Sequence, residues 1–323
     1  MGYQQNTESI WKEMFDDCGE AVMNSYTSWL AKHPSALNNF EEMMSEAEGK
    51  EVVVFLDYDG TLSQIVEEPD QAFMTDEMRS ALGEVALAFP TAIVSGRRRD
   101  KVFKFVQLKN VHYAGSHGMD ISTPSGSLKY SGHEHQVITT DEHGKEAVHF
   151  LPAQEFLPTI QEIIKDLREK TKDIKGSMIE DNQFCVSVHY RKVANEEDVD
   201  ILKKMVKSLM EAHKKFRISE GKKVLDIRPN IDWDKGRALQ YLLDTLGYDS
   251  TSEDVFPVYI GDDKTDEDAF TAIRQIGRGF PIVVSSTPKQ TKAAHSLRDP
   301  TEVMSFLKRL VSWKSTTTSN LIA

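Results

Sequence analysis

The sequence predicts an α/β protein: a mainly parallel sheet flanked by helices, with a smaller α+β unit inserted into it. Three observations carry that expectation. The runs EVVVFLDYD, TAIVSG, VFPVYIGDD and FPIVVS have the length of strands and are apolar on both faces, as strands covered on both sides must be. They alternate with amphipathic segments at the spacing of crossover helices. The alternation breaks near residue 120 and resumes near 229, which places one unit inside another.

Taken in order, residues 1–49 read as a helical lead-in, with Ile10, Met14, Ala21, Met23, Trp29 and Leu30 recurring among polar residues. Residues 50–119 form the first part of the core. Strand EVVVFLDYD leads to helix MTDEMRSALGEVALAF, whose first turn holds Asp76 and Glu77, where the helix dipole favours acids. Strand TAIVSG, helix DKVFKFVQL and the strand and turn VHYAGSHG follow. Residues 122–150 are polar and rich in Gly, Ser, Thr and His, and read as loop or hairpin. FLPTIQEIIKDLREKT is a long amphipathic helix, and SMIEDNQFCVSVHYRKV alternates like one or two half-exposed antiparallel strands. A second helix, EDVDILKKMVKSLMEAHKKF, precedes a hairpin, FRISEGKKVLDIRP, expected to turn around Glu220-Gly221. These pieces make residues 120–228 the inserted α+β unit. Residues 229–313 return to the parallel pattern. Helix DKGRALQYLLDTLG ends at Gly247, and strand VFPVYIGDD, helix DEDAFTAIRQI, strand FPIVVS and helix EVMSFLKRLVSW complete it. KSTTTSNLIA, residues 314–323, reads as a frayed tail.

The 323 residues exceed what most single cores hold, so one large or two smaller domains are expected. A net charge of −12 argues against nucleic acid, which selects a basic face, and equally against an anionic membrane surface. An acidic chain that handles an anionic substrate must do so locally, with a bound cation. The two cysteines, Cys18 and Cys185, lie far apart without a CxxC or Cys/His cluster, as expected of reduced thiols. No apolar run approaches the ~20 residues of a membrane span. The start MGYQQNTES lacks a signal-peptide pattern, and Asn6 stands where a myristoylation motif wants a hydroxyl. A cytosolic monomer is the expectation.

Four stretches fall at the ends of the expected parallel strands or open a helix: Asp57–Thr61, Ile93–Arg97, Asp234–Gly236 and Gly261–Asp266. Ligands of open α/β sheets collect at those strand ends, so the four should share one crevice. Asp57, Asp262, Asp263 and Asp266 are hard oxygen donors without His or Cys, the ligand set of Mg²⁺. Lys235 adds a fixed positive charge. Ser95, Thr61 and the backbone N–H groups around Gly60 can hold phosphate oxygens. These are the parts phosphoryl transfer requires. A carboxylate can attack and form an aspartyl-phosphate, and a neighbouring one can move protons. Singly each is ambiguous: Ser95 can cap the following helix, Lys235 can lie on the surface, and Asp266 can be a helix N-terminal acid. Their joint order carries the reading.

DxDGT, Ser, Lys and GDDxxD in that order resemble the haloacid-dehalogenase-like phosphatase superfamily. FLDYDGTLS, FPTAIVSGR, YAGSHGMDI, FCVSVHYR, RPNIDWDKG, YIGDDKTDEDAF and SLRDPTEVM resemble plant trehalose-6-phosphate phosphatases, over about residues 35–313. The resemblance implies a Rossmann-like core, a cap at 120–228 closing over the sugar, and Mg²⁺-dependent hydrolysis of trehalose 6-phosphate. It makes Asp57 the nucleophile and Asp59 the general acid/base, with the Asp59 carbonyl on the metal. Asp262 becomes the second carboxylate ligand, supported by Asp263 and Asp266, while Ser95 and Lys235 hold the phosphoryl group. Gly60, Thr61 and Arg97 fall beside that group, and His117, Glu180, His189, Arg191 and Asp226 fall to the substrate side. Three of these keep a second reading: Glu180 as a turn acid, His189 facing the cap's own helices, His117 as a structural histidine at the hinge. Asp226 stands where relatives have Glu, one methylene shorter, and Gln64 where they often have Pro. The alternatives are another sugar phosphate, such as sucrose phosphate, or a sensor that does not depend on turnover. The presence of Asp57, Asp59 and Lys235 weighs against the sensor.

Overall fold

Residues Val52–Leu56 have no exposed surface. Alternation sends Val52, Val54 and Leu56 into one apolar cluster and Val53 and Phe55 into another, which is why the run is apolar on both faces. In the computed structural model, which describes residues 25–123, 135–140, 146–248 and 252–322, this run is the central strand β1 (Glu51–Leu56). Around it stand β2 (Thr91–Val94), β3 (His112–Gly115), β11 (Val255–Gly261), β12 (Phe280–Val284) and β13 (His295–Leu297), in the parallel order β13-β12-β11-β1-β2-β3. Helices Asp76–Ala88 and Pro300–Ile322 cover one face. Helices Lys235–Thr245 and Asp266–Ile276 cover the other.

The large sheet does not end at β3. Strands β4 (Asp120–Thr123), β5 (Gln136–Thr140) and β6 (Glu146–Phe150) extend it antiparallel, in the order β3-β4-β6-β5. The boundary expected at residue 120 is therefore corrected: Asp120–Thr123, Gln136–Thr140 and Glu146–Phe150 pair with the core sheet. The hairpin alternative holds for β5 and β6, which pair antiparallel; their polar composition is that of an edge with one solvated face, which sequence pattern alone does not attach to the core sheet. Three further expectations change. The tail 314–323 is helical as far as Ile322, and Ser315, Thr316 and Thr317 return hydroxyl hydrogen bonds to the carbonyls four residues earlier. The hairpin turns at Lys222-Lys223, with Gly221 opposite Val224 and Lys223 at φ 66°. Of the lead-in, a helical stretch over 25–30 and helix Phe40–Glu46 are described, while Cys18 and the periodic residues 10–23 lie outside the described residues.

The second sheet is antiparallel throughout. Its order is β7 (Met178–Asp181), β8 (Val186–His189), β10 (Val224–Pro229) and β9 (Phe216–Gly221). Helices Leu157–Thr171 and Glu196–Met210 pack on one face through Ile160, Ile163, Leu167, Val199, Leu202 and Val206. Alternation divides the strands. Val186, Val188, Leu225 and Ile227 enter that core, whereas Ser187, His189, Asp226 and Arg228 line a cleft of about 640 Å³ shared with the ends of the parallel strands.

Candidate active site

Asp57 follows β1 directly and is 4% exposed. Its Oδ1 accepts a hydrogen bond from Lys235 Nζ at 2.7 Å, and the same ammonium donates to Asp266 Oδ1 at 2.8 Å. Lys235 opens its helix, whose cap is Asp234 accepting from Arg237 N at 2.9 Å. Asp266 is closed to solvent and fully committed: Lys235 and Tyr259 donate to Oδ1 and the Asp263 N–H to Oδ2. Asp263 accepts from the Thr265 N–H and hydroxyl, both at 2.8 Å. Asp262 accepts from Lys222 Nζ at 2.9 Å, and its carbonyl from Lys289 Nζ at 2.5 Å. At Gly60, φ is +79° and a Cβ would strike the Asp262 carboxylate, so only glycine lets the chain turn here.

Oxygens of Asp57, Asp262 and Asp266 lie within 4.8 Å of one another. Burial pushes the Asp57 carboxyl up, only partly offset by Lys235, and the neighbouring acids add to the rise. Burial and Asp263 likewise raise Asp262, against the pull of Lys222. Burial lifts Asp266 to about 7. Asp263 is the exception: despite its burial, Lys235 and the Thr265 hydrogen bond hold it well below the usual carboxylate range. For Lys235, burial alone would favour the neutral amine, but Asp266 and Asp57 hold its pKa well above the ordinary value. Three crowded carboxylates whose charge is opposed by burial fit a hard divalent cation. Asp266 accepts three hydrogen bonds against one each at the Asp57 and Asp262 side chains, so the latter two keep the larger donor capacity, and through Lys235 Asp266 also steadies Asp57.

Asp59 points elsewhere. Arg97 grips it with two hydrogen bonds, Nε to Oδ2 at 2.6 Å and Nη2 to Oδ1 at 2.7 Å, and donates through Nη1 to the Pro69 carbonyl. Ser95 and Thr61 are buried, 1% and 0% exposed, and neither is among the residues lining the cleft. Ser95 Oγ accepts from the Arg97 N–H, and Thr61 Oγ1 is buried without a partner among the described residues.

On the opposite wall, Glu180 belongs to β7 rather than to a turn. It accepts from Lys101 at 2.5 Å and pairs with His189 Nε2 at 2.7 Å, so His189 faces the cleft and not the helices. Asp226 accepts from Ser187 Oγ at 2.5 Å, and burial raises its pKa. Arg191 lines the rim and donates to the Lys222 carbonyl. His117 occupies the left-handed region at φ 57° and is 4% exposed; a Cβ on Gly96 would come within 2.8 Å of its ring. Sequence reasoning missed Lys222, Lys289, Lys101 and Asn182. Lys222 carried a usable signal, a Lys-Lys pair at the tip of a hairpin beside an acidic crevice. Lys289 follows β12, the kind of strand end that drew attention elsewhere.

A parallel sheet with acids at its strand ends, under an inserted four-stranded lid, defines the capped core of the haloacid-dehalogenase-like class. Within it, residues 55–303 match the trehalose-phosphatase family, and the chain belongs to that family. It is 53% identical over 294 residues to the probable trehalose-phosphate phosphatase 2 of Oryza sativa subsp. japonica, covering 91% of this chain and 76% of that protein. It is 52% identical over 291 residues to the trehalose-phosphate phosphatase B of Arabidopsis thaliana, covering 90% and 74%. The C-terminal domain of the C. albicans trehalose-6-phosphate phosphatase shares the fold with a TM-score of 0.65 at 24% identity, over 85% of this chain and 97% of that one. Among the described residues no helix is long and apolar enough to cross a membrane.

Proposed function

We propose that this chain hydrolyses trehalose 6-phosphate to trehalose and phosphate, with Mg²⁺ held by Asp57, Asp262 and the Asp59 carbonyl. The observation that carries this is Asp57, buried at the end of β1, hydrogen-bonded by Lys235 and clustered with Asp262 and Asp266 in a cleft whose far wall is polar. Bound there, Mg²⁺ would offset the repulsion among the carboxylates and the incoming phosphate. Lys235 opposes the rise that burial imposes on the Asp57 carboxyl and fixes its direction. Asp57 attacks phosphorus, the sugar oxygen departs, and an aspartyl-phosphate forms. Asp59 gives its proton to the departing oxygen and later takes one from the attacking water. Arg97 holds both Asp59 oxygens, so Asp59 must leave that grip and take up a proton from solvent before it can give one to the departing oxygen. Ser95 and Thr61 supply hydroxyls beneath the phosphate. The unit over 151–228 closes as the cap, with Glu180, His189, Arg191 and Asp226 meeting the sugar and His117 at the hinge. A cytosolic monomer is consistent with the reduced Cys185 and the acidic surface.

Phosphate release from trehalose 6-phosphate, against sucrose, glucose and mannose phosphates, tests the reading. Trehalose 6-phosphate should be preferred, EDTA should abolish release and Mg²⁺ restore it. Asp226, a short acid tied to Ser187, makes sucrose phosphate the meaningful competitor; a preference for it would overturn the substrate and keep the chemistry. Asp57→Asn should remove essentially all turnover with an unchanged far-UV spectrum, and near-native activity would refute the nucleophile.

A further inference from the structure

A second group of donor atoms lies at the hinge, apart from the acidic centre. The thiol of Cys185, a ring nitrogen of His117 and a carboxylate oxygen of Asp226 lie within 4.8 Å of one another. His117 belongs to the short helix after β3 in the core, whereas Cys185 immediately precedes β8 and Asp226 lies on β10 in the cap. Cys185 is fully buried and forms no disulfide among the described residues. His117 Nδ1 is buried and has no hydrogen-bond partner, an orphan of the kind a native interior rarely leaves.

Asn182 holds the three donors together. Its N–H donates to the Cys185 carbonyl at 2.9 Å, and its own carbonyl accepts from Ser116 beside His117. Its side chain donates to Ser187 at 3.0 Å, and Ser187 donates on to Asp226. The core and cap donors are therefore positioned from one residue.

We propose that Cys185, His117 and Asp226 form a site for a thiophilic divalent cation such as Zn²⁺, which clamps the cap to the core at the hinge and inhibits the enzyme. Tetrahedral Zn²⁺, with bonds of about 2.0–2.3 Å to N, O and S, spaces its ligand atoms by roughly 3.3–3.6 Å, so the donors need close by about an ångström. The donor set selects the ion: thiolate and imidazole suit Zn²⁺ over Mg²⁺. Arg228 is next to the group, with Nε and Nη1 buried and unpaired, and it repels a bare cation. One thiolate and one carboxylate neutralise a divalent ion, so binding releases the Cys185 proton to solvent and leaves no net charge against Arg228.

Co²⁺ reports on the thiolate by a near-ultraviolet charge-transfer band. Titrated into the whole protein with excess Mg²⁺ occupying the acidic centre, Co²⁺ should raise that band to saturation at one equivalent, and Zn²⁺ should erase it. Cys185→Ala should lose the band, keep its turnover with Mg²⁺ alone and tolerate at least tenfold more Zn²⁺ before inhibition. Asp226→Asn, in the same spectroscopic titration, should weaken Co²⁺ by about tenfold or more. A band that persists in Cys185→Ala belongs to Cys18 and overturns the proposal, as does its absence from the folded wild type. Zn²⁺ inhibition equal in wild type and Cys185→Ala places the inhibitory ion at the acidic centre and likewise overturns the clamp.

Discussion

Asp57 and Asp59 leave β1 two residues apart and meet different cations, Lys235 for the first and Arg97 for the second. The Asp57 side of this contrast was legible in the sequence, because Asp57, Lys235 and Asp262 are tied to strand and helix ends that pattern reveals. The Arg97 grip on Asp59 was not, because periodicity does not encode how far a side chain reaches. The same holds for Glu180, whose partner Lys101 is 79 residues away on another unit. Burial pushes the Glu180 carboxyl up, but the hydrogen bonds from His189 and Lys101 outweigh it and hold it at about 2, against an ordinary 4.5. A folded pKa below the unfolded one stabilises the fold above pH 4.5, and that contribution drains away as pH falls toward 2. The gap corresponds to roughly 3 kcal/mol. Glu180→Gln should therefore lower the urea midpoint at pH 6, and its deficit against wild type should shrink below pH 4.5. A deficit independent of pH between 6 and 3.5 would show that packing, not charge, is what the variant loses.

The hairpin of β9 and β10 carries the main surprise among the elements. Its turn sits at Lys222-Lys223, and from there Lys222 crosses the cleft to Asp262, a proposed metal ligand. The Lys222 side chain is 64% exposed while Asp262 is 7% exposed, so the pair is half solvated and worth little, about 0–1 kcal/mol. Lys222 and Mg²⁺ want the same carboxylate. Lys222→Met should tighten Mg²⁺ binding by up to about fivefold by calorimetry, the upper end of what that energy allows. Weaker binding would mean that Lys222 supports the centre rather than competing for it. The turn was misplaced from sequence because Glu220-Gly221 has turn composition, whereas the register pairs Gly221 with Val224. The short strands β4 and β13, and the joining of the β5–β6 hairpin to the core sheet, were missed for a related reason. Short or half-solvated strands lack the apolar run that exposed β1, β2, β11 and β12 to view.

At the scale of the whole molecule, two kinds of contact join cap and core. The hinge is pinned by short-range hydrogen bonds to Asn182, from the Ser116 hydroxyl to its carbonyl and from the Arg98 N–H to its Oδ1 at 3.3 Å. The far side of the cleft is closed by charge: Lys192 pairs with Glu68, and Lys222 with Asp262, both through largely exposed lysines. The cap has its own apolar cluster, drawn from residues between 156 and 227, and a smaller one of Met119, Ala153 and Phe184 bridges it to the core at the hinge, so the cap can pivot there as a unit with its own core intact. Screening shortens from roughly 30 Å at about 0.01 M salt to roughly 3 Å at about 1 M, and it acts on the exposed pairs while leaving the buried hinge bonds in place. The ligand-free protein should therefore swing open about the hinge as salt rises, seen as a larger radius of gyration in small-angle scattering with no change in far-UV signal. Mg²⁺ with inorganic phosphate should reverse the swing at high salt, because an anion between the cap lysines and the acidic centre replaces the screened pairs. A radius indifferent to salt would assign closure to the hinge alone and remove charge from the account of how the cap shuts.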